Sequence, residues 1–221
     1  MQADYPWEKT IVAERNRRKA AEPVFQGIAK MARWVRRRFK QDKLTPLWRS
    51  YFTPGSTIMD VGCGKGDHLR RLGEMGFVPS GVEISKSLAE TASPQAVRFG
   101  GRIVVSNAVD GLEQFSDHWF FGAILISFLE HESSPLPLLL KLRQKLVTGG
   151  RIIIKVPNFG SWNSFLRGAH WCGWRFPDHV NYFTPQTLCE LVRRADFSVK
   201  RFQFKDRFPF NDNMWMVCQA N

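Results

Sequence analysis

The stretch Asp60-Val61-Gly62-Cys63-Gly64-Lys65-Gly66-Asp67-His68 decides how this chain is read. It ends Thr57-Ile58-Met59-Asp60-Val61, an apolar run of the length of a buried strand. It leads into a helix marked by Leu69, Leu72 and Met75 that closes at Gly76. Glycines at alternate positions let the backbone turn sharply and let a ligand lie against bare main chain. In open α/β sheets, ligands bind at the carboxyl ends of the strands, where this turn falls. The dinucleotide fingerprint needs GxGxxG; here the third glycine comes one residue early and Asp67 occupies its place, which disfavours a pyrophosphate cradle. The GxxxxGK[ST] loop of NTP-binding proteins is also missing from the sequence.

Outward from the turn, strands and helices alternate. Further strands are expected near Pro79 to Ile84, at Arg102 to Val105, from Phe120 to Ile126 and from Arg151 to Val156. Ser134-Pro135 supplies an N-cap and a first-turn proline for a helix running through Leu139, Leu142 and Leu146 to Gly149-Gly150. Thr184-Pro185 opens another helix with Leu188, Leu191, Val192 and Ala195 on one face. Two β-rich stretches, Phe197 to Phe204 and Asn213 to Gln219, finish the chain. This alternation predicts an α/β fold with a doubly wound, mainly parallel seven-stranded sheet, and the last two strands, joined without a helix, predict an antiparallel edge hairpin. Glu83, at the end of the second strand with Ile84 beside it, is placed to accept both hydroxyls of a ribose. An acidic residue there implies an adenosine without a 2′-phosphate.

Composition sets the outer bounds. The chain has 221 residues, enough for one domain of ordinary size, and 43% hydrophobic with 24% charged residues lies outside the range of disordered chains. The longest apolar run, Trp119 to Leu129, falls well short of the roughly 20 residues of a membrane span. The first ten residues, MQADYPWEKT, lack the apolar core of a secretory signal, so a cytoplasmic protein is expected. Cys63, Cys172, Cys189 and Cys218 are scattered, with no CxxC pair and no histidines at zinc-ligand spacing. Reduced thiols and no metal site are expected.

Of a net charge of +12, residues 1 to 49 carry +8, from 13 basic and 5 acidic side chains. Between Val24 and Lys40 the apolar residues Phe25, Ile28, Ala32, Val35 and Phe39 recur at three and four, with lysines and arginines elsewhere on the wheel. Residues 1–53 therefore read as a basic helical extension and 54–221 as the main domain, with an aromatic-rich insertion at 158–183. Such a helix suits peripheral docking at an anionic membrane surface, gripping RNA phosphates, or a plain solvated face.

Strand, Asp-x-Gly-x-Gly-x-Gly turn, helix, strand and acidic residue together resemble the class I S-adenosylmethionine-dependent methyltransferases, over roughly residues 54 to 220. Ser106-Asn107-Ala108 falls where that family often has an acidic residue and an alanine beside the adenine, with Asn107 as a departure. Ser127-Phe128-Leu129-Glu130-His131 is similar to its "LEH" segment, and Leu146-Val147-Thr148-Gly149-Gly150 to its "LxPGG" turn. The resemblance implies S-adenosylmethionine as cofactor, held by Asp60, Gly62, Cys63, Gly64, Gly66, His68, Glu83, Ile84, Asn107, Ala108, Ser127 and Phe128. Asp60 would meet the methionine ammonium or fix the turn, and Phe128 and Leu129 would wall the adenine or the transfer axis.

Residues Phe159 to Phe183 hold eight aromatics in 25 positions, and only Asp178 there is acidic. Aromatic faces can stack on sugars or planar acceptors and exclude water, or simply pack the segment onto the domain. Pro177 to Pro185 (PDHVNYFTP) resembles a run in small-molecule and glycan-related members. His179 and His131 are candidate general bases, with Tyr182 beside them, because a hydroxyl acceptor must lose a proton as it is methylated. The expected activity is methyl transfer to a glycan, sugar derivative or small metabolite, at oxygen before nitrogen or carbon, with lipid-linked acceptors included. The alternatives are an RNA methyltransferase and a catalytically inactive cofactor-binding subunit. No Asn/Asp-Pro-Pro-Tyr tetrad follows the fourth strand, which argues against DNA.

Overall fold

The computed structural model describes residues 43–221, so the basic helix expected between Val24 and Lys40 lies outside the described residues. The chain divides into two compact units, Met1–Tyr51 and Phe52–Asn221; the described part of the first contains helix α1, Leu44–Tyr51.

The second unit is built on β1 (Thr57–Val61), β2 (Val78–Glu83), β3 (Ile103–Val105), β4 (Phe120–Ile126), β5 (Leu146–Pro157), β6 (Phe197–Arg201) and β7 (Asn213–Ala220). They form one seven-stranded sheet in the order β3-β2-β1-β4-β5-β7-β6. All pairs from β3 to β5 are parallel, while β7 runs antiparallel to both β5 and β6, so the edge hairpin is present with its second strand on the inside. The central strands are apolar on both faces because helices cover both faces. In β4 Ala123, Ile124 and Leu125 are fully buried, as are Ile152, Ile153 and Ile154 of β5.

The helices are α2 (Asp67–Glu74), α3 (Lys86–Val97), α4 (Ala108–Glu113), α5 (Pro135–Lys145), α6 (Trp162–Arg167) and α7 (Pro185–Arg194). Leu138, Leu139 and Leu142 give α5 its buried stripe, and each contributes roughly 1.5–3 kcal/mol by leaving water. α7 starts on a reciprocal cap: the Thr187 amide donates to Thr184 Oγ1 (3.2 Å) and the Thr184 amide to Thr187 Oγ1 (2.9 Å).

Two local expectations change. The helix over Ser134–Leu146 stops at Lys145, and Gly149-Gly150 lies inside β5 rather than ending the helix. Phe120 pairs with Leu146 but Gly122 pairs with Arg151, so β5 carries three extra residues over two steps of β4, a bulge that turns at Gly149 with φ +76°. The sixth strand stops at Arg201, because the chain turns into a short 3₁₀ segment at Phe204–Asp206 that is held by Arg201 Nε on Asp206 Oδ2 (3.0 Å).

Candidate active site at the carboxyl edge of the sheet

β1 sits where the strand order reverses, with β2 on one side and β4 on the other, so the turns after these strands flank a crevice at the carboxyl edge. The turn after β1 begins with Gly62 and Cys63, whose amides both donate to Val82 O (2.9 and 3.1 Å). Gly62 and Gly64 have φ of +72° and +54°, which side chains resist. A Cβ at Gly62 would overlap the Phe128 ring, whereas one at Gly64 would meet open space. The main chain at Gly64 is thus bare toward the crevice, as a ligand lying on it requires.

Glu83 holds this turn from β2. Its Oε2 accepts from the Gly64 amide (2.8 Å) and its Oε1 from the Ser85 amide (2.9 Å). A carboxylate has about four lone-pair directions, so two remain for hydroxyl donors. Asp60 is buried beneath the turn, and its Oδ2 has no hydrogen-bond partner. Burial, and next the neighbouring Glu83 charge, push its carboxyl up to about 8. An orphaned acid below an open glycine edge fits a cationic ammonium.

The other expected cofactor residues divide by what they expose. Ile84, Asn107 and Ser127 are exposed, and Phe128 is half-buried over Gly62. Cys63 is buried in a small core with Leu69, Ala92 and Ala96, where burial pushes its thiol up, so only its backbone reaches the turn. Gly66 caps α2 against Ala92, half-buried His68 lies in the first turn of α2, and Ala108 belongs to the main core. Asn107 uses its side chain to cap α4, accepting from the Asp110 amide (3.0 Å) and donating to Asp110 Oδ2 (2.7 Å). Leu129 is fully buried in the main core, so it packs the fold and does not wall the crevice.

The turn after β4 and the aromatic insertion are tied into one assembly. The amides of Val180 and Asn181 both donate to Glu130 O (2.9 and 3.1 Å), and Asn181 Nδ2 donates to Leu129 O (3.0 Å) and Glu132 O (2.6 Å). These bonds bring His179 against His131, with ring centroids 4.7 Å apart and planes at 82°. His131 Nδ1 faces Asp178 O (2.9 Å) and Asp178 Oδ1 (3.2 Å), and His179 Nδ1 faces Gly173 O (2.7 Å). Acceptors alone face these nitrogens, which assigns the protons to Nδ1 and leaves both lone pairs on Nε2. His179 is buried, which pushes its pKa down and keeps it neutral at physiological pH.

Sequence reasoning missed three members of this assembly as site residues. Glu130 is buried, its carboxyl is pushed up by that burial, and one ligand atom each from Glu130, His131 and His179 lies within 4.8 Å of the other two. Lys155 reaches from β5 to donate to Ser127 Oγ (2.5 Å), and Asp178 orients His131. A lone lysine in the Ile-rich run Ile152 to Val156 and the single acid of the aromatic segment were the available signals.

The aromatics of the insertion serve both expected purposes. Trp171 and Phe183 are buried packing residues, and Trp171 Nε1 donates to Asp212 Oδ1 (2.8 Å). Trp174 stacks on Tyr182 (4.6 Å, 25°) and Phe159 lies 5.6 Å from Tyr182, with Trp174 and Phe159 exposed.

Residues 30–201 match a family model described as a methyltransferase domain, and the chain belongs to this family. Its fold is that of the class I S-adenosylmethionine-dependent methyltransferases. The chain is 33% identical over 104 residues to a protein-L-isoaspartate O-methyltransferase of Gloeobacter violaceus; the match covers 47% of this chain and 48% of the relative, so it spans about half of that protein's length. Among solved structures, a 1,6-didemethyltoxoflavin-N1-methyltransferase of Burkholderia thailandensis is similar at TM-score 0.63 and 18% identity, covering 91% of each chain. A methyltransferase of Archaeoglobus fulgidus is similar at TM-score 0.62 and 18% identity, covering 90% of this chain and 100% of that one. Among the described residues, no helix is long and apolar enough to cross a membrane.

Proposed function

We propose that this methyltransferase acts on a hydroxyl oxygen of a glycan, sugar derivative or small metabolite. The observation that carries this reading is the close pair His131 and His179, whose Nδ1 atoms both meet acceptors so that Nε2 stays open; His179 bonds the carbonyl of Gly173, the residue before the stacked Trp174. The bound cofactor supplies an electrophilic methyl group on a positively charged sulfur. Glu83 accepts the ribose hydroxyls with its two remaining lone-pair directions, and Asp60 faces the ammonium. Gly62 and Gly64 let the cofactor lie on the main chain, Ile84 and Phe128 offer it apolar surface, and Asn107 and Ser127 border it. A neutral histidine Nε2 takes the acceptor's proton, while Trp174 and Tyr182 stack on the acceptor and exclude water. The match to an O-methyltransferase agrees with oxygen as the acceptor atom.

A lipid-linked form of the acceptor is favoured by one further observation. Trp162, Phe165, Leu166, Phe204 and Phe210 are exposed, and Trp162 and Phe210 touch at 4.7 Å, which joins the insertion to the β6–β7 connection in one apolar ridge. Arg167, Lys205 and Arg207 lie in the same two segments, a composition suited to an anionic lipid surface.

The test is methyl transfer from labelled cofactor to a panel of free and lipid-linked glycosides and phenols, with Trp174→Ala as the probe variant. Loss of the stack should raise KM about 10-fold, worth about 1–1.5 kcal/mol, with cofactor affinity unchanged. No transfer to any hydroxyl acceptor, with transfer to an amine or RNA instead, overturns the reading.

A further inference from the structure

We infer that Glu130, His131 and His179 form a binding site for a first-row divalent transition-metal ion, of zinc type, at the acceptor end of the crevice. Its binding stands on these residues alone; its role in catalysis rests on the hydroxyl-acceptor reading above.

Three observations converge. First, the two histidines are pre-set as ligands. Asp178 and the Gly173 carbonyl hold the Nδ1 atoms, which is how outer partners orient metal-binding imidazoles, and this leaves Nε2 as the open ligand atom of each ring. Second, Glu130 is 1% exposed and its Oε2 has no hydrogen-bond partner. A buried carboxylate oxygen without a donor is costly, and a cation removes that cost. Third, the three ligand atoms already lie within 4.8 Å of one another, although His179 comes from a distant segment. A tetrahedral ion with bonds of about 2.1 Å sets its ligand atoms about 3.4 Å apart. Closing from that spacing requires a small shift of the ligands, and His131, whose side chain is 34% exposed, has solvent rather than core on its open side.

Two imidazoles and one carboxylate suit zinc, cobalt, iron or manganese over magnesium or calcium, and they leave at least one position open. The charged neighbours that face the cluster are Asp178, Lys155 and Arg175. Lys155 favours the charged form of Glu130 from nearby while donating to Ser127 Oγ. In the open position the acceptor's hydroxyl oxygen is polarised. Its O–H bond breaks with the electron pair kept on oxygen and the proton passing to solvent. The C–O bond then forms as the C–S bond breaks, its pair remaining on sulfur. The histidines act here as ligands, and the ion takes over their part in removing the proton.

The test uses the full chain, stripped by chelator and titrated with zinc chloride in calorimetry and with cobalt chloride by visible absorption. One zinc per chain is expected, with magnesium chloride giving no heat. Glu130→Gln and His131→Gln should each weaken zinc binding by more than the about 10- to 100-fold that loss of an outer partner such as Asp178 costs. Circular dichroism and S-adenosylhomocysteine affinity, unchanged in His131→Gln, show that the fold and the cofactor end survive. Absence of zinc binding, or binding unaltered in both variants, overturns the inference. Undiminished transfer to a hydroxyl acceptor by the stripped protein also overturns it while leaving the hydroxyl reading standing. Zinc binding at this site with no hydroxyl acceptor methylated breaks that reading and leaves the site.

Discussion

The two halves of the crevice are built by opposite means. The end made by β1 and β2 is local: Asp60, Gly62, Gly64 and Glu83 lie within one strand-turn-helix-strand unit, and Glu83 bonds the turn directly. The end made by the turn after β4 is assembled from afar, since His179 and Asn181 reach Leu129, Glu130 and Glu132 across two helices and the longest strand. The first end depends on backbone shape and two carboxylates, the second on cross-chain hydrogen bonds. A single substitution at the first should therefore remove a function outright, whereas one at the second should loosen a geometry.

The largest effect is expected from Glu83→Ala. It removes two charge-assisted backbone bonds as well as the acceptor proposed for the ribose, about 3–5 kcal/mol in all, so calorimetry should detect no cofactor binding. Retained affinity would break the comparison at its stronger arm.

Asp60→Asn sharpens it. The folded carboxyl sits at about 8 against an ordinary value of 3.8, so the folded state binds the proton more tightly than the unfolded chain. Stability therefore falls as pH rises from about 4 to about 8, by at most about 1.4 kcal/mol per pH unit, and levels off above. Melting curves should show a shallower decline in Asp60→Asn than in the wild type, the part that remains coming from the buried Glu130 carboxyl, which burial also pushes up. Saturating S-adenosylhomocysteine should flatten the wild-type decline, because an ammonium facing Asp60 favours its charged form. A slope unaffected by ligand would separate Asp60 from the ammonium.

Asn181→Ala should have the smallest effect, a loss of about 1–3 kcal/mol in chemical denaturation from two removed bonds. Cofactor affinity should be intact and kcat lowered, since His179 is no longer held against His131. Equal losses at both ends would mean that the two halves are not independent.

The same contrast explains what could be read in advance. The glycine spacing and Glu83 were legible because local backbone geometry dictates them, and the apolar runs of β4 and β5 announced buried parallel strands. α3 was hard to see because its buried face is Ala89, Ala92 and Ala96, with Pro94 inside the helix. Gly149-Gly150 looked like a helix stop, whereas the register with β4 absorbs it as a bulge. The aromatic segment could not be divided from its composition, because only tertiary contacts separate the buried Trp171 from the exposed Trp174. Glu130 looked like one letter of a familiar segment; its burial and its meeting with His179 depend on residues far along the chain.

The carbonyl of Glu130 carries a consequence for engineering. Since it accepts from the amides of Val180 and Asn181 while the Asn181 side chain donates to Leu129 O and Glu132 O, residues 158–183 are not an autonomous cassette. Transplanting that segment into another protein of this architecture, to move acceptor choice with it, would require residues 127–132 of this chain to travel along.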